Sequence, residues 1–245
     1  MTIKKLDIEK CIQRSVSRAD FWINFIRSND IKIMAEIGVF RGDFACSVLE
    51  ACDLIEKYYF IDPWRHLSAW NKPRNFDDNL FQEIYNEAIE KTNFAAQKRV
   101  VLRGKTTEVI DEIPDNSLEF VYIDGDHTLR GITIDLILAY PKIKKGGIIG
   151  GDDFCRTIWQ HNPSFEPTLV FPFVVYFAEA MNMRIYSLPY NQFLMEKSDL
   201  PFSFEDLIEG YSPTTLRDHI SMAKLMESMC RSKLIRLYKI VRKFL

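Results

Sequence analysis

Residues 31–45 read I-K-I-M-A-E-I-G-V-F-R-G-D-F-A. The run Ile31 to Val39 is apolar and rich in β-branched residues, as a strand requires. The turn G-V-F-R-G-D follows it, and then Phe44, Ala45, Val48, Leu49 and Cys52 recur at helical spacing. Strand, tight turn and helix in that order predict the opening unit of an α/β sheet. Glycines at 38 and 42 let the backbone turn sharply and approach a ligand, and the carboxylate of Glu36 suits a cationic or hydroxyl-bearing group. The dinucleotide pattern G-x-G-x-x-G would place a glycine two residues after Gly38, where this chain has Phe40, which disfavours a nicotinamide cofactor.

The same alternation continues downstream. Strands are predicted at Tyr58–Ile61, Arg99–Leu102, Leu118–Ile123 and Gly147–Gly150. Helices are predicted around Leu80–Ile89, Thr107–Ile113 and Ile132–Ile143. A parallel, doubly wound sheet with right-handed crossovers follows, and its chemistry should lie beyond the carboxyl ends of the strands. Phe171–Met181 reads as a further helix. Met183–Ser187 and Gln192–Glu196 read as an antiparallel hairpin turning at Pro189, Tyr190 and Asn191. The expected division is a helical segment over 1–30 carrying Phe21, Trp22, Phe25 and Ile26, a main domain over 31–198, and a strand-free helical extension over 199–245.

Composition bounds the rest. A chain of 245 residues with 47% hydrophobic and 27% charged residues can bury a core of its own. A formal net charge of −2 gives no domain-wide footprint for nucleic acid. Cys11, Cys46, Cys52, Cys155 and Cys230 form no C-x-x-C or zinc-like spacing and are expected to be reduced thiols. With neither a signal-peptide pattern nor an apolar run of about 18 residues, a cytoplasmic protein is expected.

Carboxylates mark the strand exits. Asp62 ends the second strand, where a carboxylate can accept both hydroxyls of a ribose or, alternatively, cap the following turn. Asp124-Gly125-Asp126-His127 follows the fourth strand and Gly150-Gly151-Asp152-Asp153 the fifth. Acids converging there would repel one another without a cation, and hard oxygen ligands suit Mg2+, Mn2+ or Ca2+. The alternative is that some of these aspartates cap helices.

The segments AEIGVFRGDFA, YYFIDPW, FVYIDGDHT and GGIIGGDDF resemble the metal-dependent class I methyltransferases related to macrocin O-methyltransferase, over about Ile31 to Lys197. The resemblance implies a Rossmann-like methyltransferase sheet that binds S-adenosylmethionine beside a divalent cation such as Mg2+. On that basis Glu36, Gly38 and Gly42 would surround the methionine part of the cofactor, Asp62 its ribose, and Thr106 and Thr107 its adenine. Asp124, which also borders the cofactor, Asp152 and Asp153 would hold the metal, and Asp126 would be the general base. His127 is a second candidate base, because its ordinary pKa of ~6.5 suits proton transfer near neutrality. The expected acceptor is a small hydroxylated molecule: a sugar, vicinal diol or catechol whose adjacent oxygens chelate one ion.

A related metal-dependent hydroxylase-like enzyme and a non-catalytic binding protein on the same fold are the alternatives. In the loop after the second strand, Trp64 is expected either to cover the cofactor or to pack beneath the loop, while Arg65 or His66 reaches an anionic group on the acceptor. The tail from Lys224 to Leu245 has an apolar stripe and a basic face. It would join copies of the chain into a homo-oligomer through terminal helices, or lie on an anionic membrane surface.

Overall fold

The computed structural model describes residues 5–162, 164–211 and 230. The tail helix expected over 224–245, with its oligomer and membrane roles, lies outside those residues. Two helices come first, α1 (Lys5–Gln13) and α2 (Arg18–Ser28). Ser17 caps α2 by accepting the Asp20 N–H, and Phe21, Trp22, Phe25 and Ile26 form its buried face. That face packs on the chain's own sheet, so α2 offers no apolar stripe to a second copy.

Five parallel strands follow with their crossovers: β1 (Ile33–Ile37), α3 (Asp43–Ala51), β2 (Lys57–Asp62), α4 (Asp78–Lys91), β3 (Arg99–Arg103), α5 (Thr106–Val109), β4 (Leu118–Ile123), α6 (Leu129–Ala139) and β5 (Ile143–Gly151). Then come α7 (Val170–Ala180) and the antiparallel hairpin of β6 (Arg184–Leu188) and β7 (Gln192–Glu196). The sheet order is β3-β2-β1-β4-β5-β7-β6-β8, where β8 is Ser203–Asp206. Successive residues of β1 alternate between two cores. Met34 joins the aromatic-rich cluster under α2, α3 and α4, whereas Ala35 and Ile37 join the mixed aliphatic and aromatic cluster under α5, α6 and α7. Burial on both sides is what makes β1 an almost continuous apolar run.

Two details differ from the sequence expectation. Residues 203–206 form a strand parallel to β6, so the region after Ser198 is not free of strands. Its S-F-E-D sequence is short and half-buried along its length, which leaves no apolar signal. The helix expected to reach Ile143 ends at Ala139, where Tyr140-Pro141-Lys142 forms a single 3-10 turn, and β5 begins at Ile143. Proline cannot continue the α-helical bonding there. The chain departs from β1 to one side and returns to β4 on the other, so a crevice opens between their carboxyl ends.

Candidate active site

A cavity of about 710 Å³ fills that crevice. At one end the backbone of the first turn takes the left-handed region at Gly38 (φ 93°), Phe40 (φ 50°) and Gly42 (φ 73°). A side chain at Gly38 is excluded, because its Cβ would lie 2.3 Å from the Asp124 carbonyl oxygen. Gly38 therefore lines the cavity with bare backbone. Gly42 does not line it: it precedes α3 and faces Ala88 of α4, where a Cβ would come within 3.1 Å of the backbone.

Glu36 is buried on the aromatic side of the sheet, where its Oε2 accepts the Tyr58 hydroxyl at 2.8 Å. Burial pushes its carboxyl up to about 8, so it is a neutral core acid near pH 7. The structure thus separates the three residues expected around the methionine moiety, leaving Gly38 at the cavity, Glu36 beneath it and Gly42 in a helix contact.

Asp62 lines the cavity from the end of β2. Its Oδ2 accepts the Phe40 N–H at 2.9 Å and its Oδ1 the Trp64 N–H at 2.8 Å. Burial raises its carboxyl to about 6 against the opposing pull of the Phe40, Trp64 and Val39 backbone N–H groups. Each oxygen keeps a lone pair for a further hydroxyl donor. Thr106 and Thr107 line the same end, and the Thr106 hydroxyl donates to Asp135 at 2.6 Å. Asp135, which no motif had marked, lines the cavity, and burial raises its carboxyl to about 7. Trp64 is fully buried against Tyr85 and donates to the Phe40 carbonyl. It packs beneath the loop and does not face the cavity.

The other end carries the acids. Asp126 lines the cavity and its Oδ1 accepts the Trp70 indole N–H and the Thr128 N–H, each at 3.0 Å. Asp124, Asp152 and Asp153 line it too, each paired with Arg18 or His127. Arg18 reaches down from α2 and donates through Nη1 to Asp124 Oδ2 at 3.0 Å and to Asp152 Oδ2. His127 sits between Asp124 Oδ1, 3.4 Å from its Nε2, and Asp153 Oδ2, which takes its Nδ1. Gln192 donates to Asp152 Oδ1 at 2.5 Å, and Gln160 to Asp153 Oδ1 at 3.4 Å.

Burial opposes charge on His127, but the two carboxylates outweigh it and raise its pKa to about 10. Both ring nitrogens of His127 thus face carboxylates. Burial, and then the neighbouring Asp124 charge, lifts Asp152 to about 6. The paired His127 holds Asp153 down at about 2 despite its burial.

Among the described residues no three acids, histidines or cysteines point at one common centre. The donors nevertheless fit a divalent ion. Carboxylate oxygens from Asp124 and Asp152 converge on a single positively charged nitrogen, Arg18 Nη1, which marks a cation position between the ends of β4 and β5. Asp153 would complete the set by turning from His127.

Nitrogen-bearing side chains that the motifs did not reveal line the cavity with Asp126. Lys72 is buried with Nζ bonded to the Glu166 carbonyl at 2.8 Å and to the Thr168 hydroxyl at 3.3 Å, both neutral acceptors. Arg74, over the Phe40 ring, and His161 line the cavity with it. Arg65 also lines the cavity, but its guanidinium donates to both oxygens of Glu108, at 2.7 and 2.8 Å. His66 Nδ1 contacts the Phe76 carbonyl.

Sheet order, switch-point cavity and the bare-backbone glycine facing a strand-end carboxylate define a class I S-adenosylmethionine-dependent methyltransferase fold. Residues 35–154 match a protein family described as a methyltransferase domain. Solved structures repeat the fold. An O-methyltransferase from Bacillus cereus in complex with S-adenosylhomocysteine superimposes with a TM-score of 0.52 at 16% identity, covering 79% of this chain and 91% of that one. The O-methyltransferase TomG of Streptomyces achromogenes, in complex with S-adenosylmethionine, gives 0.53 at 14% identity over 83% and 92%. A curated relative, the uncharacterized protein R132 of Acanthamoeba polyphaga mimivirus, is 27% identical over 125 residues, 51% of this chain. This chain spans 52% of that relative's length. Among the described residues no helix is long and apolar enough to cross a membrane.

Proposed function

We propose that this chain transfers the methyl group of S-adenosylmethionine to a hydroxyl oxygen of a small anionic acceptor, a sugar, diol or catechol-like molecule, with a divalent cation held by Asp124, Asp152 and Asp153. The observation that supports it most is the arrangement of one cavity, with Asp62 beside the Gly38 backbone at one end and the acid cluster around Asp126 at the other. When bound, the cofactor supplies an electrophilic methyl group and the divalent ion lowers the pKa of the hydroxyl it touches.

The chain's own residues do the rest. Asp62 accepts the ribose hydroxyls, Gly38 lets the backbone close on the cofactor, and Thr106, Thr107 and Asp135 border the adenine. Asp126, oriented by the Trp70 and Thr128 donors, takes the proton of the acceptor hydroxyl. Lys72, Arg74 and His161 suit an anionic group on the same acceptor.

The test is calorimetry with S-adenosylhomocysteine, followed by a screen of hydroxylated acceptors with and without a phosphate or carboxylate. Asp126→Asn should keep cofactor affinity and lower kcat about 100-fold or more. A protein that binds no S-adenosylhomocysteine, or an Asp126→Asn variant of full activity, would overturn the assignment.

A further inference from the structure

We infer that Arg18 and a divalent cation are mutually exclusive occupants of one position between Asp124 and Asp152, so that α2 carries a built-in competitor of the metal. The inference rests on the divalent site proposed above. Its basis is the convergence of Asp124 Oδ2 and Asp152 Oδ2 on Arg18 Nη1. An ion bound by the same two oxygens requires the guanidinium to leave. Until it does, Arg18, His127, Gln192, the Asp153 N–H and Gln160 serve the carboxylates, and among the described residues only Asp124 Oδ1, 3.4 Å from His127 Nε2, lacks a hydrogen bond.

The packing of α2 makes Arg18 a fixture. Trp22, one turn further along the same face, lies over Gly150, where a Cβ would stand 2.2 Å from the indole. The indole N–H donates to Gln192 Oε1 at 2.9 Å, and the Tyr122 hydroxyl donates to that same oxygen at 2.9 Å. With its Oε1 taken by two donors, the Gln192 amide must present Nε2 to Asp152. Helix, strand β7 and carboxylate are thereby locked together, and the helix cannot slide to withdraw its arginine. Release must come from rotation of the Arg18 side chain, which is 37% exposed and so has an open path to solvent.

Binding linkage then has a definite sign: whatever occupies the position in the free protein weakens the ion by the free energy of its own displacement. Breaking charge-assisted bonds to two carboxylates should weaken the ion by about tenfold or more.

The experiment is a Mn2+ titration of the full chain followed by the electron paramagnetic resonance signal of free Mn2+. Wild type would be compared with Arg18→Gln, Arg18→Lys and Arg130→Gln, each checked for folding by circular dichroism. Arg130 is an exposed arginine lining the same cavity, so its variant controls for the loss of one positive charge. Arg18→Gln should bind Mn2+ about tenfold tighter than wild type or better, Arg18→Lys should fall between them, and Arg130→Gln should stay within about twofold of wild type. If Arg18→Gln does not fold, the intermediate shift in Arg18→Lys carries the test. Equal or weaker binding after removal of Arg18, or an equal gain in Arg130→Gln, overturns the competition and leaves the metal proposal standing. Mn2+ binding to none of the variants overturns both.

Discussion

Asp62→Asn changes one atom of a side chain that holds two backbone turns and faces the proposed ribose. The carboxylate accepts N–H groups from Phe40 at 2.9 Å and Trp64 at 2.8 Å. Both donors belong to left-handed residues, at φ 50° and 40°. An asparagine offers one acceptor oxygen, so its amide nitrogen must face one of those donors. Losing one bond to a charged acceptor costs about 1.5–3 kcal/mol, and removal of the buried charge offsets part of it. A net loss of about 1 kcal/mol would lower the melting temperature by about 2–4 °C for a chain of this size. Cofactor binding should suffer more. The ribose hydroxyls lose their charged acceptor, and about 1.5–3 kcal/mol corresponds to about 10- to 100-fold weaker affinity.

Titration calorimetry with S-adenosylhomocysteine reads the affinity directly. In wild type the affinity should also decline as pH falls through about 6, where the Asp62 carboxyl takes up its proton. In Asp62→Asn that decline should be absent. A dissociation constant within about threefold of wild type at pH 7.5 would refute the placement of the ribose, since that is less than 1 kcal/mol.

Glu36 makes a pH prediction of the opposite kind. The folded protein keeps its proton up to about pH 8, whereas an unfolded chain releases it near the ordinary value of 4.5. The folded state therefore binds more protons across that interval, and its stability falls as pH rises through it. Glu36→Gln, which can still accept the Tyr58 hydroxyl, should show a flatter fall in melting temperature between pH 6 and pH 9; identical slopes would contradict the neutral-acid reading. Trp22→Ala should cost about 3–5 kcal/mol in urea denaturation, because a fully buried indole leaves a cavity above Gly150. A loss below about 1 kcal/mol would show that α2 is not clamped there.

Much of this was legible before any coordinates. The glycine-bearing turn after an apolar strand located β1 and α3, and the acids at strand ends marked Asp62, Asp124 and Asp126 at the cavity. What escaped depended on where chain segments meet. Trp64 and Trp70 share one loop, and only the left-handed backbone at Trp64 turns it inward while Trp70 reaches Asp126. Glu36 belongs to the first motif, yet strand alternation sends its side chain to the aromatic side of the sheet, onto the Tyr58 hydroxyl. Lys72 looks like any loop lysine until the segment around Glu166 and Thr168 folds over it. Arg18 alone had a readable trace: it lies four residues before Trp22 and seven before Phe25, on the face that had to be buried.

The indole of Trp22 bound to Gln192 joins positions 170 residues apart in the chain. On a ribosome, α2 emerges early, but the strand that completes its berth emerges near the end of the domain. Until then its aromatic face can lie on Phe120, Tyr122 and Gly150 of β4 and β5, but the Gln192 bond that clamps the indole and braces Asp152 is missing. Contacts of such long sequence separation close late and slowly. A nascent chain cut before β7 can form β1 to β5, yet the braced acid cluster is a property of the finished domain.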